Sequence, residues 1–80
     1  MEDTQILDQI TRMTHAEHEL LHLGEHGGLD DAGRERLSGL KVEIDRLWDL
    51  LRQRRAKRHA GLNPDNAAER PAAIVEHYQQ

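Results

Sequence analysis

LSGLKVEIDRLWDLLRQRRAKR, residues 37–58, is the stretch on which the architecture turns. Its apolar residues Leu37, Leu40, Ile44, Leu47 and Leu51 advance by alternating steps of three and four, the rhythm of a helix-packing seam. The same stretch holds the chain's one Trp and, past Leu51, its densest positive charge. A seam needs a partner. The candidate is the N-terminal segment, where Ile6, Ile10, Met13, Glu17 and Leu20 repeat the same spacing and Leu7 and Leu21 widen the stripe.

Composition narrows the field. Eighty residues make one small domain, in which a lone hydrophobic core is marginal. With no Cys there is neither a disulfide nor a thiolate metal site, and with no Phe, one Trp and one Tyr there is no large aromatic core. Few β-branched residues and many Leu, Ala, Glu, Gln and Arg predict an all-α chain. The N-terminus MEDTQILDQI has no basic or apolar leader region, and no apolar run reaches the roughly 20 residues of a membrane span. A cytoplasmic protein without membrane contact is expected.

Charge is divided along the chain. Residues 1–31 carry eight acids against Arg12, whereas residues 32–60 carry nine bases against Glu35, Glu43, Asp45 and Asp49. Opposite halves suit a pair of helices in one chain better than a polyanion-binding surface. Helix 1 is expected over about 4–26, capped by Asp3 or Thr4, and ends in GEHGGLDD. Helix 2 is expected over about 31–60, with Asp30 or Asp31 as N-cap, Leu29 as a hydrophobic staple, and Gly61-Leu62 as its C-terminal stop. Folding back near Gly28 sets Leu20 beside Leu37, Met13 beside Ile44 and Ile6 beside Leu51. Asp3 and Glu2 then approach Arg54, Arg55 and Arg58. Glu17, an acid in the seam, is expected to reach a base of helix 2. Asn63-Pro64-Asp65 predicts a short third helix, interrupted by Pro71, within a C-terminal extension over 63–78. Ile74, Val75 and Tyr78 are expected to dock near Trp48. The fold class is therefore an all-α antiparallel two-helix hairpin, coiled-coil-like, with a short helical extension, occupying residues 1–80 as a single domain.

Residues 48–67, WDLLRQRRAKRHAGLNPDNA, and the ending RPAAIVEHYQQ resemble a small bacterial family, domain of unknown function 2630. Ala16-Glu17-His18 stands where that family usually has two acids before the His. The resemblance covers nearly the whole chain and implies a stand-alone cytoplasmic bacterial protein. It implies no chemistry, cofactor or site.

Two constellations suggest functions. His18-Glu19-Leu20-Leu21-His22 matches H-E-x-x-H, in which two His one turn apart hold zinc and the Glu activates water. A hairpin supplies neither cleft nor shielded metal. His15, His18, His22 and His26 also fall within roughly 80° of one another on the side opposite the seam. Weak, exposed metal binding at His18, His22 and His26 is the most this face predicts. The second constellation is Arg52, Arg54, Arg55, Lys57, Arg58 and His59. These charges spread around the helix with no aromatic interleaved, so phosphate binding ranks behind protein contact.

A non-catalytic interaction or structural module, using no cofactor, is the leading reading, with Trp48, Arg52, Arg54, Arg55 and Arg58 as its contact residues and a protein as its partner. Second is a nucleic-acid accessory protein using residues 52–59; third is a metal- or pH-responsive protein using the His face. Leu7, Leu21, Val42 and Leu50 lie off the seam. Packing two hairpins into a four-helix homodimer would cover part of that surface, and the alternative is a monomer covered by its own tail.

Overall fold

A computed structural model describes residues 1–79, with side chains described through Glu76. Helix α1 spans Asp3–Glu25, α2 spans Asp31–His59, and α3 spans Ala72–Gln79, with a single 3₁₀ turn at Pro64–Asn66 between α2 and α3. No strand occurs among the described residues. The protein is an all-α antiparallel hairpin with a short C-terminal helix.

The helix ends follow local chemistry. Gly27 adopts φ 71°, the left-handed conformation, so that Gly28 N–H reaches the Leu23 carbonyl at 2.8 Å and Gly27 N–H that of Gly24 at 3.1 Å. This pair of bonds stops α1. The Asp30 carboxylate accepts the Gly33 N–H at 2.8 Å and starts α2. Leu29 lies so close over Gly33 that a Cβ there would sit 2.6 Å from its Cδ1, and a larger residue would make the Leu29 side chain turn aside. Gly61, at φ 75°, and Leu62 close α2 by the same arrangement, with Leu62 N–H on the Lys57 carbonyl at 2.8 Å.

At the start of α1 the expected caps are corrected. Glu2 is the N-cap, and its N–H is held by Gln5 Oε1 at 2.8 Å. Asp3 is unavailable because its carboxylate is committed to Arg54 and Arg58 of α2. The third helix expected from Asn63 is also shorter: after the 3₁₀ turn, Ala67 is extended at φ −73° and ψ 146°. Gln53 and Arg46 of α2 donate to the carbonyls of Ala68 and Arg70, at 2.8 and 2.9 Å, and hold this segment open. Arg70 precedes Pro71, where helical geometry is disfavoured.

The core is seamed as the spacing predicts. Ile6 and Ile10 of α1 pack with Ile44, Leu47 and Leu50 of α2, and Met13, Leu51 and Ala67 lie against them. Leu50, expected off the seam, is buried; Ala67 joins the cluster from the tail, and Val75 is fully buried. Val42 is half-buried. The tail therefore adds a third layer to one flank of the hairpin. The molecule measures 50 × 25 × 16 Å, and its thinnest dimension exceeds a single helix diameter of about 10–12 Å only slightly. Among the described residues no such layer covers the other flank, where Leu7, Leu21 and Trp48 are exposed.

Candidate functional site: the Trp48 cleft and the arginines around it

At the open end of the hairpin, Leu7 of α1 and Trp48 and Leu51 of α2 line a cleft of about 260 Å³. Arg52, Arg55 and Arg58 rim it, about one, two and three helical turns beyond Trp48, and Asp3 closes its α1 side. Trp48 is 42% exposed and Leu7 43%. Among the described residues no hydrogen bond or core contact joins the tail to Trp48, contrary to expectation. The tail is anchored to Arg46, Asp49 and Gln53, which lie on the opposite flank of α2 because they fall about 100–160° around the helix from Trp48. The side chain of Tyr78 lies outside the described residues, and Ile74 is exposed.

The five cations of the run 52–58 fall into distinct roles. Arg54 is 6% exposed and continues the seam inward, where it donates to Asp3 of α1 and, at 3.0 Å, to Asp65 of the 3₁₀ turn. Its third bond, to the Pro64 carbonyl at 3.2 Å, makes it a rivet through all three segments. Arg58 grips both oxygens of Asp3, at 2.7 and 3.2 Å. The Arg58 and Arg54 guanidiniums hold the Asp3 carboxyl below its usual range, and Asp3 in turn raises Arg54. Arg52 stands 4.0 Å from Asp49, whose carboxylate is directed chiefly to Arg70. Among the described residues Arg55 and Lys57 have no ion-pair partner. Two of the run's arginines thus hold the fold together, and Arg52 and Arg55 project beside an exposed indole. The absence of an interleaved aromatic, inferred from spacing, does not survive folding: Trp48 shares its cleft with three arginines.

A second polar cluster escaped the sequence reading. Asp49 is 2% exposed, yet its carboxylate accepts from Arg70 Nε at 2.9 Å, from the Arg70 terminal nitrogen, and from Gln53 at 2.9 Å. Arg70, first, and Gln53 hold its carboxyl below the usual range despite burial. Two signals were available in the sequence: an acid inside the run LWDLL, and Arg70 as the one base in residues 61–80. On the same flank burial pushes Glu43 up, with Glu69 beside it adding to the shift, and burial and then Asp45 push Glu76 up.

The His face is plain by contrast. His18 and His22 are exposed on α1 and His26 on the C-cap that follows it, the His22 and His26 rings meeting edge-to-face at 4.6 Å between centroids. His15 contacts Glu19 at 3.2 Å. Among the described residues no group of three or more His, Asp or Glu is arranged to hold a metal ion. Glu17 is half-buried and, among the described residues, no ion pair joins it to a base of α2, contrary to expectation.

A family model described as "Protein of unknown function (DUF2630)" matches residues 2–80. The chain belongs to this family. It is 39% identical over 77 residues to uncharacterised proteins of Mycobacterium bovis and Mycobacterium tuberculosis, an overlap that takes in 95% of this chain and 88% of each relative. No solved structure matches it. The family resemblance read from residues 48–67 and from the RPAAIVEHYQQ ending is thus correct, and those two segments supply Arg52, Arg54, Asp65 and Arg70. No helix among the described residues is long and apolar enough to cross a membrane.

Proposed function

We propose that this DUF2630 protein is a non-catalytic helical interaction module of the cytoplasm whose contact surface is the bare flank around Trp48. One observation carries the proposal. A large indole stands 42% exposed over a cleft floored by Leu7 and Leu51, while the opposite flank of the same helix is sealed by the tail. Half-exposed aromatics rimmed by arginine are the residues that dominate protein interfaces. The partner this surface fits is a helix that presents leucine-type side chains flanked by carboxylates: the first fill the cleft, the second meet Arg52 and Arg55. The test is capture of partners from the native cell by wild type and by Trp48→Ala, each with and without nuclease. Proteins retained after nuclease and lost with Trp48→Ala support the reading; the same set captured by both proteins overturns it.

A nucleic-acid reading draws on one specific feature, the indole beside Arg52 and Arg55, because a base can stack where cations hold the backbone. It ranks second because Arg54 and Arg58 are occupied by Asp3, which also places an acid at the cleft wall. Under it, capture disappears with nuclease. For His18, His22 and His26 the reading is a weak divalent-ion site made by pairs one turn apart on an open helix, with no peptidase activity. Calorimetric zinc titration of wild type and His22→Ala tests this; sub-micromolar affinity lost on that substitution would revive a physiological metal role.

A further inference from the structure

The chemistry required of the partner is present on the protein itself. On α1, Asp3, Leu7, Thr14, Leu21 and Glu25 are spaced four, seven, seven and four residues apart, so all five lie on one strip beside the seam. The strip is symmetric about Thr14, with a leucine and then an acid at equal distances on either side. Both leucines are open: Leu7 is 43% exposed and Leu21 39%. On α2 the adjoining strip is Arg34, Lys41, Trp48 and Arg55, seven residues apart each time.

From this symmetry we infer that the bare flank is an isologous interface, on which a second copy of the chain packs antiparallel about a two-fold axis near Thr14. The inference rests on the interaction reading above and names its partner. A two-fold axis at Thr14 lays Leu7 of each copy on Leu21 of the other, two leucine contacts about 21 Å apart at 1.5 Å per residue. The short Thr14 side chain, at the crossing, lets the helices approach. The same operation brings Glu25 of one copy to the Asp3 end of the other, where Arg58 pairs with Asp3 and Arg55 lines the same cleft with no ion-pair partner among the described residues. Glu25 has no ion-pair partner among the described residues and ends α1, where the helix dipole disfavours an acid. A cation from outside its own chain removes that mismatch. The turn end as a whole, with Glu17, Glu19, Glu25, Asp30, Asp31 and Glu35 against Arg34 and Arg36, is acidic, and the antiparallel arrangement sets it against the arginines of the open end. A parallel arrangement would stack like ends on each other.

Sedimentation equilibrium of the nuclease-treated full-length chain, over roughly 1–500 µM, is the test. The wild type should pass from monomer to dimer mass, Trp48→Ala and Leu21→Asp should weaken association by at least about tenfold, and each of Arg55→Glu and Glu25→Arg should weaken it singly. The chain carrying both charge reversals should recover, because the antiparallel contact then forms with its polarity reversed. A wild type that stays at monomer mass throughout overturns the inference while leaving the capture result to judge the interaction reading on its own. A dimer indifferent to Trp48→Ala and Leu21→Asp, a doubly reversed chain that fails to recover, or a dimer mass seen only before nuclease treatment would each overturn it as well. Circular dichroism of every variant confirms that helix content is retained, and Leu7→Asp provides a second apolar variant should Leu21→Asp unfold.

Discussion

The two flanks of α2 are built from the same helix and do opposite things. On one, Arg46, Asp49, Leu50 and Gln53 face the tail, and each is covered or hydrogen-bonded by it or, for Leu50, sealed in the core. On the other, Lys41, Trp48, Arg52 and Arg55 are exposed, and the indole shares its cleft with Leu7 and Leu51. The difference teaches where this small protein places its stability. A two-helix seam is a thin source of buried area, and the tail supplies the missing layer on one side only. Sealing both sides would remove the contact surface proposed above.

The comparison is sharpened most by removing what the tail flank buries. Leu47→Ala, in the seam under both flanks, should cost about 3 kcal/mol and bring the melting transition down steeply. Asp49→Ala removes the buried carboxylate that accepts from Arg70 and Gln53 and should cost about 2 kcal/mol, an amount read from denaturant midpoints. Val75→Ala should cost about 2 kcal/mol by opening a cavity beneath α3. Trp48→Ala, on the bare flank, should fall within about 0.5 kcal/mol at dilution, as exposed substitutions do.

Acidity separates the flanks further. Glu43 and Glu76 on the tail flank have raised carboxyls, so the stability they lend is full below the unfolded value of about 4.3 and is lost as pH climbs through their folded values. Asp49 and Asp3 are lowered, so theirs is full above about 3.9 and is lost as pH falls through their folded values. The combined contribution of these four groups should therefore be largest at about pH 4, between the two unfolded values, and decline on both sides. Melting curves across pH for wild type and Glu43→Gln check this: the substitution should flatten the decline toward neutrality and leave the acid-side decline in place. An unchanged alkaline-side slope would remove Glu43 from the tail's grip.

The seam and the hairpin were legible because alternating three and four spacings on two segments and a charge division at Gly28 pointed to one register. The turn chemistry was legible too, since Gly27-Gly28 and Gly61-Leu62 admit few alternatives. The course of the tail was not. Its apolar residues Ile74 and Val75 suggested only that something apolar lay beneath, and Trp48 was the largest apolar target in the sequence. What decides the docking is polar: Asp49, buried inside LWDLL, demands a cation and takes Arg70, which drags residues 67–76 to the flank away from Trp48. The three and four spacing also carries the seam on to Arg54 and Arg58, where Asp3 meets both, and leaves Arg55 off it. The opposite fates of Arg54 and Arg55 follow from about 100° of helix rotation, which turns one onto Asp3 and the other to solvent.

The division of roles is tested most directly by measuring Val75→Ala and Trp48→Ala side by side in urea, at a concentration well below that at which the wild type associates, with helix content as the readout. The prediction is a midpoint lowered for Val75→Ala and held at the wild-type value for Trp48→Ala. Equal losses for the two substitutions would mean that the Trp48 flank belongs to the core of the single chain, and would contradict its assignment as a surface kept open for contact.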